Sequence, residues 1–330
     1  MNRLTMVIMS MIAIVALNFF NPISLPAQTC IQAPDGMVGW WPGDGDADDY
    51  IGENHGELQN GAGFVSGKVG QAFSFDGVDD FVQVPDSDLW AFGSNDFTID
   101  LWANFQNNES EARLISNDEG LGRKNKWFFT WGTQNGGVLI FHVNGPHLGS
   151  ISLVFAPFFP IIDQWHHLAI TRSGNTFTVF VDGSPVGFEV YSVTIPNPNA
   201  PLTIGQAEGH RFMDGFIDEV GIFDRALSEA EIQAIYNAGN AGKCRGLEVD
   251  IDIKPGSSPN CININGHGVI PVAILGSQDL EVDDIDTTTL SLAGLSVRIR
   301  GNKGPLCSTE YSNDDYFIDL VCHFEDEPNE

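Results

Sequence analysis

The sequence predicts an all-β protein, a two-sheet antiparallel sandwich with one short helix, followed by a smaller all-β module. Three observations lead to this fold class. Between about residues 30 and 245, many short stretches alternate apolar and polar residues, which is the period of a half-buried strand. Gly, Asn, Pro or Ser bounds these stretches. Residues 227–239 have the helical period instead.

The elements follow from these patterns. Residues 176–190 predict a hairpin, because Asp182 and Gly183 both tolerate the positive φ angles of a two-residue turn. Further strands are predicted from residues 97–105, 136–144, 165–173 and 200–207. The helix is predicted to begin after Ser228, which has Glu231 three positions later to complete a capping box, and to end at Gly239.

The N-terminus predicts export. An apolar run over residues 6–20 follows Arg3, and the small residue Ala27 ends the segment, so residues 1–27 are interpreted as a secretory signal peptide. The alternative is an uncleaved anchor, but the run is shorter than the roughly 20 residues that cross a bilayer. We therefore expect a secreted or cell-surface protein with no transmembrane segment in its mature chain.

The net charge limits the classes of molecule that can bind the protein. The formal net charge is −29 at pH 7, which makes nucleic acid an improbable partner. Many of the aspartates lie in Gly- and Asn-rich turns, where carboxylate and carbonyl oxygens can converge on Ca²⁺. For any single aspartate, the alternative is that it only keeps an extracellular surface soluble.

Composition changes after Arg245 to alternating acidic and aliphatic residues, and residues 247–330 are predicted to form the smaller β module.

Export permits disulfides. All the cysteines follow the predicted cleavage point, and because there are five of them, at least one is left free or pairs with another chain.

Four motifs of residues 28–245 resemble those of laminin G-like jelly rolls, within the concanavalin A-like and pentraxin group found in bacterial extracellular proteins. They are GWWPGDGDADD (39–49), GQAFSFDGVDDFVQVP (70–85), QWHHLAITR (164–172) and MDGFIDEVGIFDRALSEAEI (213–232). The resemblance implies a jelly roll that binds a glycan or a protein and holds a structural Ca²⁺. For this ion it favours Asp44, Asp76 and Asp218 as ligands. A jelly roll also places its first and last strands side by side, which favours a Cys30–Cys244 disulfide.

The second region resembles a small module of bacterial surface proteins through IDIKPGS, GVIPVAILG and an acidic loop. Asn313, Asp315 and Asp319 fit the alternate ligand positions of a calcium loop, but Tyr311 stands where the related loops carry a carboxylate. A plain acidic hairpin is the alternative. Among the remaining cysteines, Cys307 and Cys322 are the expected disulfide.

The sequence lacks the common hydrolase signatures. It has no ExDxE string, GxSxG elbow or HExxH helix. Asp218 and Glu219 are adjacent in a predicted strand and are expected to point to opposite faces, and the same argument prevents His166 and His167 from chelating one ion. We therefore expect a binding protein and not an enzyme.

Three functional hypotheses remain. The first is a calcium-stabilised module that binds carbohydrate or an extracellular protein, with exposed Trp90, Trp127 or Phe158, or the apolar stretch 156–162, as candidate contacts. The second is a structural or adhesive matrix component without glycan specificity. The third is a polysaccharide-degrading enzyme with an unfamiliar site. The ligand-binding residues are not identified by the sequence.

Overall fold

The computed structural model of the chain describes residues 30–245, 251–256, 268–277, 280, 282–285, 287–288, 290–292, 295–313 and 315–325. These residues divide into two compact units, one ending at Cys244 and the other beginning at Arg245. The predicted signal peptide and Cys261 lie outside the described residues. No helix within the described ranges combines the length and the apolar composition that crossing a bilayer requires.

The first unit consists mainly of β-strands. Its strands are β1 (Met37–Trp41), β2 (Glu57–Gln59), β3 (Gly63–Ser66), β4 (Gln71–Asp76), β5 (Phe81–Val84), β6 (Phe97–Phe105), β7 (Ala112–Asp118), β8 (Lys126–Gly132), β9 (Val138–Gly145), β10 (Gly149–Pro157), β11 (Trp165–Ser173), β12 (Thr176–Val181), β13 (Ser184–Val190), β14 (Leu202–Ile204) and β15 (Asp214–Phe223). Short 3₁₀ turns occupy Asp88–Trp90, Gln134–Gly136 and Gly239–Ala241.

The strands form two antiparallel sheets. The first sheet has the order β13-β12-β11-β6-β15-β4-β3, with β1 also paired to β15. The second sheet has the order β10-β9-β8-β7-β14-β5-β2. Side chains from both sheets form one shared apolar core. The predicted two-sheet antiparallel sandwich is therefore confirmed.

The predicted hairpin and helix are both present. Asp182 and Gly183 have φ angles of 50° and 77° and connect β12 to β13. Helix α1 (Glu229–Ala238) begins with a capping box in which the Ser228 and Glu231 side chains each accept from the other's backbone N–H. Helix residues pack in a separate apolar cluster with β11, β12 and β15 residues, on the outer side of the first sheet.

The core corrects one hypothesis about exposed aromatic residues. The Trp90 and Trp127 side chains are both 0% exposed, so they cannot present a ring to a ligand. Trp127 occupies an inward position of β8, and Trp90 packs edge-on to Trp41 with ring centroids 6.0 Å apart. Phe158 is half-buried and packs against the same core.

A disulfide joins the two ends of the first unit. Cys30 and Cys244 are bonded across a sequence separation of 214 residues. Ile31 N–H donates to Gly242 O at 3.0 Å, and Cys244 N–H donates to Ile31 O at 2.7 Å. The disulfide therefore fixes the last residues of the unit against the first ones.

The second unit is a smaller all-β module. Its strands are β16 (Ile251–Ile253), β17 (Val269–Ile274), β18 (Ser291–Leu292), β19 (Leu295–Ser296), β20 (Cys307–Glu310) and β21 (Asp319–Glu325), with 3₁₀ turns at Val282–Asp284 and Gly301–Lys303. The main sheet has the order β16-β17-β21-β20. Cys307 and Cys322 face each other on β20 and β21 and form a disulfide.

Candidate functional site

A cleft of about 290 Å³ lies on the outer face of the second sheet. It forms there because β8 alternates strictly: Phe129 and Trp131 enter the core, which leaves Phe128 and Thr130 facing outward. Strands β7, β9 and β10 and the loop between β14 and β15 complete it. The lining residues are Glu111, Arg113, Phe128, Thr130, Gly132, Gln134, Ile140, His142, Asn144, Ser150, Ser152, Glu208 and Arg211.

The floor of this cleft is a stacked aromatic group. The His142 and Phe128 rings lie 4.6 Å apart at an interplanar angle of 17°. The Arg113 guanidinium lies 4.4 Å from the Phe128 ring centroid, which is a cation–π contact. The His142 ring nitrogens reach the hydroxyls of Ser152 (3.2 Å) and Ser150 (3.3 Å) on β10. Because Phe128 is only 5% exposed and contacts both Arg113 and His142, the aromatic surface that the cleft presents is the half-buried His142 imidazole, beside the hydroxyls of the sheet edge.

The charged groups of the cleft are paired with one another. Glu111 lies 3.5 Å from Arg113 Nη2 and also accepts from Arg211. Glu208 Oε1 accepts from Lys126 Nζ at 2.5 Å, although Lys126 is fully buried. Both carboxylates of the lining are thus neutralised by a neighbouring cation, and their charge is not available to repel a ligand.

Burial lowers the pKa of the two basic side chains in the floor of the cleft. It lowers the pKa of Arg113 to about 10, which still leaves the guanidinium charged at neutral pH. Burial, with the Arg113 charge beside it, lowers the pKa of His142 to about 4, so the imidazole is neutral. Arg113 Nε and Asn144 Oδ1 are buried without a hydrogen-bond partner among the described residues. The site therefore offers neutral and cationic polar groups around an aromatic surface.

A second group of charged side chains is buried on the outer side of the first sheet. Lys243 Nζ lies 3.4 Å from Asp100 Oδ2 and 3.6 Å from Glu219 Oε2, and it donates to Glu219 O at 3.1 Å. Asp218 Oδ2 accepts from the backbone N–H groups of Lys68 and Val69 at 2.7 and 2.9 Å. Because Asp218 and Glu219 are both 0% exposed, no substrate reaches this cluster, and its role is structural.

The expectation that Asp218 and Glu219 point to opposite faces is wrong. Ile217 and Val220 both enter the core, so the two carboxylates between them both lie off the core face. The cause is a β-bulge, in which the register with β6 shifts between Asp218 and Gly221 and Glu219 adopts a φ of 56°. Local strand alternation fails at this position because a bulge inserts one extra residue.

Asp218 makes stability depend on pH. Burial raises its pKa from 3.8 to about 8, so the folded chain binds more protons than the unfolded chain between those values. The contribution of a protonated Asp218 is complete below pH 3.8 and is lost as pH rises to about 8. Relative to Asp218→Asn, we expect the free energy of unfolding of the wild type to fall by up to about 1.4 kcal/mol per pH unit.

Urea titrations of both proteins at several pH values check this. Parallel curves for the wild type and Asp218→Asn between about pH 4 and 8 would contradict the assigned pKa.

The structure does not bring the three aspartates of the predicted calcium site together. Asp44 accepts from the N–H of Gln71, the first residue of β4. Asp76 is the last residue of the same strand, and at 3.3 Å per residue it lies about 16 Å from Gln71. Asp218 binds the turn that precedes Gln71. Asp44 and Asp218 therefore both accept hydrogen bonds at the β3–β4 turn, whereas Asp76 lies at the other end of β4.

Asp76 instead lies in a cluster with Asp79 and Asp80. One carboxylate oxygen of each lies within 4.8 Å of the others. Asp80 Oδ1 accepts from Gly61 N–H at 2.6 Å, and its Oδ2 accepts from Asp76 N–H at 3.1 Å. Three hard oxygen donors at this spacing have the chemistry that Ca²⁺ prefers, although they supply fewer than its six to eight ligands.

The remaining predicted residues have other partners. His166 Nδ1 lies 2.9 Å from Asp182 Oδ2, and His167 Nε2 lies 3.3 Å from Asp100 Oδ2, so the two imidazoles serve separate contacts. In the apolar stretch 156–162, Phe159 is 60% exposed.

Part of the first unit is similar in sequence to a known protein superfamily. Residues 76–233 match the family model of the concanavalin A-like lectin/glucanases superfamily. The matched residues include β5 to β15, the cleft and the beginning of α1. This part of the first unit is therefore similar to that superfamily. None of the curated proteins matches the chain.

Several solved structures are similar to this chain. The binding domain of Paraclostridial Mosquitocidal Protein 1 is 14% identical, with a TM-score of 0.51 over 87% of this chain and 75% of that one. Domain 4 of an extracellular arabinanase from Geobacillus stearothermophilus, in complex with arabinotriose, is 17% identical, with a TM-score of 0.49 over 60% of this chain and 96% of that one. Trypanosoma rangeli sialidase is 16% identical with a TM-score of 0.45, and the match covers 62% of this chain but 33% of the sialidase. At these identities the similarity shows the fold alone.

The cleft of the first unit was not predicted from the sequence. Its floor comes from Arg113, Phe128 and His142, which lie on three strands and meet only through sheet pairing. One signal was available: in residues 126–132 and 138–144, polar residues recur at alternate positions of otherwise apolar strands. That alternation marks a polar outer face, but it does not show which strands are neighbours.

Proposed function

We propose that the chain is a secreted or surface-associated carbohydrate-binding protein whose first unit holds the sugar in the cleft on its second sheet. The observation that carries this proposal is the half-buried His142 imidazole, which stacks on Phe128 and lies beside the hydroxyls of Ser150 and Ser152. A sugar ring has an apolar face that stacks on an aromatic surface and an edge of hydroxyls that needs donors and acceptors. The His142 ring and the hydroxyls of Ser150 and Ser152 meet both needs.

Two further findings support the proposal. The family match is to lectins and glucanases, whose shared fold includes carbohydrate-binding proteins. The Cys30–Cys244 and Cys307–Cys322 disulfides fit an oxidising, extracellular compartment, where glycans are abundant.

We infer that the cleft binds a saccharide without cleaving it. A glycosidase needs one carboxyl group that stays protonated until it donates to the leaving oxygen. Here Glu111 is paired with Arg113 and Arg211, and Glu208 with Lys126. Both carboxylates of the lining are therefore engaged in ion pairs within the chain and are not free to approach a glycosidic oxygen. Bound polysaccharide is therefore expected to gain no new reducing ends during incubation.

Ser152→Trp tests the location of the site. Ser152 is half-buried on the edge strand β10, so an indole there fills the cleft, and the substitution also removes the Ser152 contact with His142 Nδ1. On a glycan array, we expect the variant to lose binding at least tenfold, because the sugar can no longer reach the His142 ring. The matched control is Ser184→Trp, at an exposed position on β13, the edge strand of the other sheet.

Equal loss in both tryptophan variants, or no loss in Ser152→Trp, would place the ligand elsewhere. Calcium-dependent self-association of a wild type that binds no glycan would favour an adhesive or matrix role instead.

We also propose that Ca²⁺ stabilises the first unit through Asp76, Asp79 and Asp80, in place of the set that the sequence favoured. The ion would neutralise three carboxylates at the β4–β5 turn, none of which lines the cleft. Its role would be structural, since the turn fixes the pairing of β5 in the second sheet.

Added calcium is expected to raise the melting temperature, with a gain of about 2.7 kcal/mol when the ion is at 100 times its Kd. Asp79→Asn removes a charged ligand and is expected to abolish most of that rise. Asp86→Asn, at an exposed aspartate outside the cluster, serves as control and keeps it. A melting temperature that calcium and chelator leave unchanged in the wild type would contradict the calcium proposal.

A further inference from the structure

The second unit has a cleft of its own, of about 200 Å³, beside the segment that joins β20 to β21. Aromatic and apolar side chains of this segment remain exposed. Tyr311 is 66% exposed, Tyr316 97%, Phe317 40% and Ile318 45%. Large apolar side chains clustered at a soluble surface mark a binding site more often than isolated ones do. Ser277 and Asp283 contribute polar atoms to the same cleft.

Hydrogen bonds hold this segment in shape. Asp319, fully buried, accepts from Ser312 N–H (2.8 Å) and Ser312 Oγ (2.6 Å), and also from Gly276 N–H (2.9 Å). Asn313 donates to Asp315 at 2.7 Å, and Asp315 accepts from Phe317 N–H at 2.8 Å. The three residues predicted as calcium ligands thus bond to the protein itself. These hydrogen bonds restrain described residues next to both tyrosines, which lowers the entropic cost of binding.

The chemistry of the cleft selects a ligand class. Its volume is below the 300–1,000 Å³ typical of drug-sized ligands, so it suits a single ring. The Asp283 carboxylate and the Ser277 hydroxyl can accept hydrogen bonds from sugar hydroxyls. The same carboxylate, on a chain of net charge −29, repels anionic saccharides and anionic lipid surfaces.

We propose that the cleft bounded by Tyr311, Tyr316, Phe317 and Asp283 is a second saccharide site, which binds the terminal ring of a neutral glycan by stacking on the tyrosines. This site lies wholly within the second unit. Its existence does not depend on the cleft of the first unit.

Affinity electrophoresis of the full chain tests this site separately from the first. The gels contain starch, xylan or β-1,3-glucan as neutral probes and alginate as the acidic one. The background variant is Ser152→Trp, which blocks the first cleft. We expect it to be retarded by at least one neutral polysaccharide and not by alginate. Adding Tyr311→Ala and Tyr316→Ala is expected to weaken that retardation about tenfold, as the loss of an aromatic contact implies.

Matched variants separate stacking from folding. Tyr311→Phe and Tyr316→Phe keep the ring and should retain binding, and Tyr191→Ala removes a 42% exposed tyrosine of the first unit and should change nothing. The proposal is overturned if Ser152→Trp is retarded by none of the neutral probes, or if the alanine substitutions leave its retardation intact. Retardation by alginate alone would also overturn it.

Discussion

Replacing Cys30 and Cys244 by serine is expected to lower the free energy of unfolding of the first unit by about 5 kcal/mol. The disulfide closes a loop with a sequence separation of 214 residues, and the chain-entropy estimate grows with the logarithm of loop length. Tryptophan fluorescence during denaturation with urea measures the loss. All seven tryptophans lie between Trp40 and Trp165, so this probe reports the first unit and not the second.

The second disulfide supplies the control. Cys307 and Cys322 are separated by 15 residues and lie in the other unit, so replacing both should cost about 3 kcal/mol there. Tryptophan fluorescence should not change with that pair. If the urea midpoint of the first unit is unchanged when Cys30 and Cys244 are replaced, the terminal segments hold together without the covalent bond.

Lys243→Met is expected to cost about 3–5 kcal/mol, although it replaces a polar residue by an apolar one of similar length. Lys243 is the cation nearest to Asp100 and Glu219, and all three are buried. Removing it leaves carboxylates without a counter-charge in an apolar environment. Burial opposes a charged lysine, but Asp100 and Glu219 outweigh that effect and raise the pKa of Lys243.

The loss should depend on pH in a defined direction. Burial already raises the pKa of Glu219, and without the lysine this carboxyl protonates more readily. We therefore expect the penalty of Lys243→Met to be smaller at pH 5 than at pH 8. Lys124→Met, at an exposed position, should stay within about 0.5 kcal/mol of the wild type at both. A Lys243→Met protein as stable as the wild type at pH 8 would mean that the cluster contributes nothing.

The two largest effects are coupled. Lys243 precedes Cys244, and the backbone beside it is bonded to Ile31. The disulfide therefore also positions the lysine against its carboxylates. The combined variant is expected to lose less than the sum of the separate losses, because each change disturbs the same segment.

Local sequence patterns predicted the fold well. Alternation marked the strands, the Asp182-Gly183 turn marked the β12–β13 hairpin, and Ser228 with Glu231 marked the start of α1. Each of these features is encoded within a few neighbouring residues, so no long-range information is needed to find it.

The site depends on long-range pairing, and local patterns predicted little of it. Asp44 and Asp76 lie in similar glycine-spaced turns, but β4 separates them, so similar turns did not imply a shared ion. The burial of Trp127 follows from its position on β8 opposite the core, which its neighbours in sequence do not reveal. The bulge at Glu219 turns one of the two adjacent carboxylates to the other face of the sheet. The alternation of apolar and polar residues along the strand does not reveal this bulge.

A crystal structure of the protein with the glycan that gives the strongest array signal tests the central claim most directly. We expect a sugar ring stacked over the His142 imidazole of the cleft floor, with its hydroxyls bonded to Ser150 and Ser152. A glycan bound to the first unit anywhere other than this floor, with the cleft left open, would contradict it.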